Sequence, residues 1–327
     1  MARRGVRTAW WVSVIAAGAL VVVNALTRGP SSEPPSPSMD HTVRVWHWNI
    51  AGNTMHRGSV SDGIVDAVAD SVITRRADVV SLNEVCESQY TAIRDRLAER
   101  GWPQAPDNFA RFAPELRSSP NLCGGRGGYG VALFGRHGLG AARRYRLSGG
   151  HGTEPRVMLC APRTDLPHLT YCTTHIATTT VSSGGSVVAR RQLARVRSLL
   201  DGLARRGQTY VVAGDFNAQP HYARLDTFYA ASADTRHNPG NIGAHRELDD
   251  ADKAHCPGYG EATTLGGNAP AAPCGGHAKV DLVLVRQSQL AGGYSADALK
   301  PATSCRGLPT CSDHRVLVGT VRLRVAR

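Results

Sequence analysis

The chain has 327 residues, 42% of them hydrophobic and 20% charged, a balance that excludes a disordered or fibrous polymer and requires a packed core. Its formal charge is +12, and among 38 basic residues only Lys253, Lys279 and Lys300 are lysines, so the positive field is nearly all guanidinium. Arginine forks suit phosphate better than ammonium groups do, although GC-rich codon usage gives the same excess and charge alone selects a polyanionic partner only weakly.

Residues 1–28 begin with Arg3, Arg4 and Arg7, then run through Trp10, Trp11, Val12 and Ile15 to Leu26 without a charge. This is the pattern of an export signal. Val23 and Ala25 offer a small-residue cleavage site; uncleaved, an apolar run of about 18 residues serves equally as a single membrane anchor. An extracellular or cell-surface protein is expected either way. Residues 29–40 hold Pro30, Pro34, Pro35 and Pro37 among serines and read as an extended linker. Residues 41–327 suffice for one large single-core domain.

From Val43 onward, short β-type runs alternate with glycine-rich loops. Strands are predicted at Val43–Ile50, Val79–Leu82, Gly130–Phe134, Arg156–Leu159, Leu169–His175, Tyr210–Ala213, Val280–Val285 and Val316–Arg324. Helical spacing appears twice, in Gly63–Arg76 (Ile64, Val65, Val68, Val72, Ile73) and in Ser186–Arg206 (Val188, Leu193, Val196, Leu199, Leu200, Leu203). The 8 cysteines form an even set in a chain read as exported, which points to disulfides. Cys160 with Cys172 and Cys305 with Cys311 are the local pairings, and Cys86 with Cys123 is a third. A zinc alternative at His255, Cys256, Cys274 and His277 lacks the spacing of a standard finger.

Several predicted strands end in a polar residue: Asn49 in WHWNIAG, Glu84 in VVSLNEV, His175 in TYCTTHI and Asp215 in YVVAGDFN. Taken singly, each is an ordinary turn residue. The ordered series WNIAG, LNEV, GYGVALF, TTHI, GDFNAQP, KVDLVLV and SDH, running from Val43 to Val318, resembles the signature of the endonuclease/exonuclease/phosphatase superfamily. That resemblance implies an α+β fold, a four-layer αββα sandwich of two packed mixed β-sheets with helices on both outer faces. It also implies a phosphoesterase in which water attacks a phosphoester in line, assisted by Mg²⁺ or Mn²⁺.

Carried over position by position, the resemblance makes Glu84 the principal metal ligand, with Asn49 and Asp313 beside it. Hard oxygen donors are what such cations select. His314 is expected at the scissile phosphate with Asp281 on its other ring nitrogen, Asp215 is a rival base, and Asn217 orients water or holds an oxygen. His175 would stabilise the leaving group. Weaker candidates for binding substrate are Arg156 and Tyr129, followed by Arg191, Gln192, Thr263 and Thr264.

The substrate class is read from the residues around the motifs. Lys279 and Val280 before Asp281, with Leu282 after it, depart from the inositol-polyphosphate branch. An aromatic share of 6% argues modestly against a sphingomyelinase. The deoxyribonuclease-like branch, with histidine at position 175, fits best, so nucleic acid is the expected partner of a monomeric enzyme. A lipid-head-group phosphodiesterase or another phosphatase is the alternative. A secreted binding protein that has lost catalysis is disfavoured, because every motif position carries a chemically competent residue.

Overall fold

Alternation along the strands decides the architecture. In the computed structural model, which describes residues 37–147, 149, 153–178, 182–183, 186–266 and 271–327, β1 (Ser38–Asn49) turns Val43 and Val45 to one face and Trp46 and Trp48 to the other. Both faces are buried, so this strand needs a layer on each side. The remaining elements supply them: α1 (Ile64–Thr74), β2 (Val79–Cys86), α2 (Glu87–Glu99), β3 (Ala110–Leu116), β4 (Tyr129–Gly135), β5 (Arg143–Leu147), β6 (Arg156–Pro162), β7 (Leu169–His175), the short pair β8 (Ser182–Ser183) and β9 (Ser186–Val187), α3 (Val188–Arg205), β10 (Thr209–Asp215), β11 (His245–Glu247), β12 (Asp281–Arg286), β13 (Leu290–Leu299) and β14 (Val316–Ala326).

One six-stranded sheet runs β13-β14-β1-β2-β4-β3 and the other β11-β12-β10-β7-β6-β5. Both are mixed, because β1 pairs with β2 and β7 with β10 in parallel while their other neighbours are antiparallel. The apolar layer between the sheets contains Val43, Val79, Val131, Leu159, Tyr171, Val211 and Val283. Trp46, Trp48 and Val80 pack outward against Val65 and Val68 of α1 and Ile93 of α2, and Tyr210 and Val212 pack against Leu193, Val196 and Leu200 of α3. The result is the expected α+β sandwich in four layers.

The eight predicted strands and both predicted helices are present, with ends shifted by a few residues. β1 starts at Ser38 rather than Val43, since it pairs with β14 from Ser38↔Ala326 onward, so the last linker residues are already sheet. The rest of that linker and the export segment lie outside the described residues. Among the described residues, no helix is long and apolar enough to cross a membrane. All cysteines are bridged: Cys86–Cys123, Cys160–Cys172, Cys256–Cys274 and Cys305–Cys311. The zinc alternative is therefore overturned, because Cys256 and Cys274 are bonded to each other and leave no thiolate for a metal.

Candidate active site

The inward faces of the central strands change from apolar to polar toward one rim. On β1 the series is Val43, Val45, His47, Asn49; on β2 it is Val79, Ser81, Asn83; on β7 Tyr171, Thr173, His175; and on β10 Val211, Ala213, Asp215. Residues two apart share a strand face, so the same pleat that fills the core delivers these polar side chains to the rim. Register aligns them sideways, since Asp215 lies opposite both His175 and Asp281.

β2 departs from this regularity. Its pairing with β4 slips between Leu82 and Val85, and Glu84 takes a φ of 56°. A bulge with a left-handed residue re-aims a side chain, and here it brings Glu84 to the rim beside its neighbour Asn83. Gly52 approaches the same turn so closely that a Cβ would sit 2.5 Å from the Glu84 carbonyl oxygen. Asn217, with a φ of 46°, is a second left-handed residue at the site. Such conformations cluster where function over-determines the backbone.

Asn49 Nδ2 donates to Glu84 Oε1 and Asp215 Oδ2, each at 3.1 Å, so one amide bridges two carboxylates. Its oxygen accepts the Ala51 N–H at 3.1 Å. His314 Nδ1 lies 2.7 Å from Asp281 Oδ2, and His314 Nε2 lies 3.9 Å from Asp215 Oδ2. His175 Nε2 is 3.5 Å from Asp215 Oδ2 and 4.0 Å from Glu84 Oε1. Asn217 donates its backbone N–H to Asp215 Oδ1 at 2.9 Å and its Nδ2 to the Ile176 carbonyl at 2.8 Å.

Burial and crowding set the proton affinities. Burial, followed by the neighbouring Asp281 carboxylate, pushes Asp215 up to about 7. Burial opposes charge on His314, yet the Asp281 and Asp215 carboxylates outweigh it and raise the imidazole to about 10. Asp281 is held well below the usual carboxylate range, because the His314 and His47 imidazoles overcome its burial. His175 moves the other way, well below its ordinary value, through burial and the positive charges of Arg156 and His314. The site therefore combines a cationic imidazole, a neutral one and a basic carboxylate.

Asn49, Glu84, His175, Asp215, Asn217, Asp281 and His314 thus meet at one rim. Asp313 is exposed beside His314, with Ser312 Oγ 3.5 Å from its carboxylate. Arg156 is not an open phosphate clamp: its guanidinium binds Glu115 at 3.0 Å and Glu154 at 2.9 Å, and only 7% of the residue is exposed. Tyr129 is buried, and its phenol is held above its ordinary value by burial and by the Glu84 charge. Arg191 is exposed on α3, whereas Gln192 is buried and accepts the Ala177 N–H at 2.8 Å. Thr263 accepts the Asp281 N–H at 3.0 Å, and Thr264 forms a backbone bridge to His314.

Sequence reasoning missed His47, whose Nε2 lies 3.1 Å from Asp281 Oδ1, and Ser312, whose Oγ accepts the His314 N–H at 3.0 Å and donates to the Asn49 carbonyl at 2.7 Å. Their signal was positional: His47 shares a strand face with Asn49, and Ser312 opens the SDH triplet.

Carboxylates, an amide and an aspartate–histidine pair converging at the rim of a double-sheet sandwich define a hydrolase of phosphoric esters. The chain belongs to the Endonuclease/Exonuclease/phosphatase family, whose sequence pattern matches residues 46–314, and whose members are metal-dependent phosphoester hydrolases. No curated protein matches the chain. Among solved structures, the human Nocturnin catalytic domain with bound sulfate is similar at 18% identity and a TM-score of 0.60, covering 88% of this chain and 97% of that one. A family protein from Bacteroides thetaiotaomicron is similar at 14% identity and a TM-score of 0.57, over 88% and 99% of the two chains. D. rerio TDP2 complexed with single strand DNA product follows at 15% identity and a TM-score of 0.56, over 86% and 98%.

Proposed function

We propose that the protein is an exported nuclease that hydrolyses nucleic-acid phosphodiester bonds with Mg²⁺ or Mn²⁺. The observation that carries this reading is the buried Asp281–His314 pair, 2.7 Å apart, set beside the two carboxylates that Asn49 bridges. The donor set fits a hard cation: the Glu84 and Asp215 carboxylates, joined by the Asn49 amide, present oxygen donors at one rim. Glu84 would hold the cation, with Asp313 as its second carboxylate. When bound, the cation neutralises charge on the phosphoryl oxygens and acidifies water.

The chain's own residues divide the remaining work. His314, held as an imidazolium, donates from Nε2 to a phosphoryl oxygen, which suits stabilisation of developing charge better than removal of a water proton. That leaves Asp215, pushed up to about 7, as the proton acceptor, oriented by the Asn217 N–H. His175, kept neutral, offers an N–H to the leaving oxygen.

Two features favour a polynucleotide. A cavity of about 600 Å³ beside the start of β6 is lined by Arg117, Arg144, Arg146 and Arg156, and among the described residues no carboxylate pairs with the first three. The exposed large hydrophobics among the described residues, Met39, Val60, Val187 and Ile242, include no aromatic that could anchor in lipid. D. rerio TDP2, of the same fold, is described with single strand DNA product.

The test assays purified residues 38–327 with Mg²⁺ or Mn²⁺ on plasmid DNA, RNA, sphingomyelin and a bis-aryl phosphate in parallel. Nicking of plasmid or cleavage of RNA, abolished by chelator and reduced about 10²-fold or more in His314→Ala, is expected. Sphingomyelin turnover with nucleic acids untouched moves the enzyme to the lipid branch, and inertness on all four sinks the reading.

A further inference from the structure

Behind the rim, a chain of hydrogen bonds runs from Asp215 to Asp281 through residues that touch neither substrate space nor solvent. Asn83 Oδ1 accepts the Asp215 N–H at 2.7 Å, which fixes the amide so that Nδ2 faces Thr173 Oγ1 at 3.2 Å. Thr173 and Ser81 hydroxyls are 2.8 Å apart, Ser81 Oγ lies 2.9 Å from His47 Nδ1, and His47 Nε2 lies 3.1 Å from Asp281 Oδ1. Each of these five side chains belongs to a residue at most 1% exposed. Buried polar groups must be satisfied locally.

The Asp281 end fixes the direction of the bond it receives. An ionised carboxylate only accepts, so His47 Nε2 carries the hydrogen shared with Asp281. At the other end Thr173 Oγ1 accepts from the Asn83 amide and from the Ser81 hydroxyl, and Ser81 Oγ stands against His47 Nδ1. His47 therefore carries a hydrogen on Nε2, since a ring protonated on Nδ1 alone would aim a lone pair at a carboxylate.

We infer that His47 is a positioning residue for the catalytic pair: it pins Asp281 Oδ1 so that Oδ2 faces His314 Nδ1, and Asn83 ties that lock to the backbone of Asp215. Asp281 is thereby gripped at three points, its carboxylate by His47 and His314 and its backbone N–H by Thr263. His47 acts on turnover and not on substrate affinity, because it reaches the chemistry only through Asp281. This assignment rests on the reading of Asp281 and His314 as the reacting pair.

Long-range ¹H–¹⁵N correlation of the histidine rings in the full chain, with His47 identified by its loss in His47→Gln, is expected to show His47 protonated on Nε2. Ser81→Ala, a small change that removes the hydroxyl against Nδ1, is expected to move the His47 ring signals and, through Asp281, those of His314. In turnover on the bis-aryl phosphate, His47→Leu should lower kcat by about tenfold to hundredfold, the range typical of buried orienting partners, with KM changed less than about threefold. His47→Gln, which keeps an N–H donor, should recover part of the loss. A His47 ring protonated on Nδ1 alone in the wild type overturns the assignment, as do His314 signals indifferent to Ser81→Ala. If the wild-type chain cleaves no phosphodiester, the nuclease reading fails separately while the ring spectra still decide the role of His47.

Discussion

Lys279 stands two residues before Asp281 with no side-chain exposure, its Nζ 2.5 Å from Asp249 Oδ2 and 3.1 Å from Glu247 Oε2. Burial disfavours its charge, but the two carboxylates outweigh burial and hold it protonated. Lys279→Met would strand two acids in the core, and urea unfolding should show a loss of about 3–5 kcal/mol; a change under 1 kcal/mol would refute the ion-triad reading. A second buried base adds a pH dependence. His245, 1% exposed, has its ring against the Tyr210 hydroxyl and the Phe228 carbonyl, and burial depresses it from 6.5 to about 4. Between those values the unfolded chain binds the extra proton, so this stability is full above pH 6.5 and falls away toward pH 4, by up to about 3 kcal/mol. Midpoints of urea unfolding measured from pH 7.5 to 4.5 test it, with His245→Phe expected to flatten the slope. These residues, like His47, were illegible in the sequence because they sit inside strands or loops, where a polar letter in an apolar run gives no sign of a partner thirty or more residues away. Asn49, His175, Asp215, Asp281 and His314 were legible because each closes, opens or lies beside a strand within an ordered motif, and Glu84 because its motif reads as a strand end although it sits at a bulge inside β2.

Glu84 depends on its element more than on its own side chain. The bulge that turns it toward the rim is followed directly by Cys86, bridged to Cys123 across 37 residues, and Cys86, Cys123 and Tyr129 pack together beneath it. Opening that bridge should loosen the carboxylate: the Cys86→Ala, Cys123→Ala double variant is expected to lose about 2–4 kcal/mol of stability and to need more Mg²⁺ for half-maximal turnover. An unchanged metal requirement in a folded variant would separate the bridge from the site. Apart from the two-residue strands β8 and β9, the strands that escaped sequence prediction share one property: β3, β5, β11 and β13 are the four edges of the two six-stranded sheets. Edge strands bury one side at most and carry the letters that guard against stray pairing. β5 reads RRYRL, β3 holds Pro114, and β13 contains Gly292 and Gly293 with a register slip. α2 was missed for a related reason, its buried positions being only Gln89, Ile93 and Leu97. Interior strands were found because their apolar runs are unbroken.

At the scale of the whole molecule, a net charge of +12 should make binding of a polynucleotide fall steeply with salt, since each neutralised phosphate releases counterions. Arg144 and Arg146 project from edge strand β5 into the arginine-lined cavity. The Arg144→Ala, Arg146→Ala variant is expected to raise KM for DNA or RNA and to reduce the logarithmic salt slope by roughly one per lost contact, leaving turnover of the bis-aryl phosphate unaltered. An unchanged salt slope would remove this face from the binding surface.

The four disulfides also bear on where the enzyme can exist as an enzyme. Cys86 lies two residues after Glu84, Cys172 three before His175, Cys311 three before His314, and Cys256–Cys274 encloses Thr263; every bridge fastens a segment that carries part of the site. In a reducing cytoplasm such bridges do not persist, so a chain read as an exported nuclease would meet the chromosome of the cell that makes it only with its site loosened. It would be fully armed only after crossing the membrane, a measure of self-protection that requires no inhibitor protein.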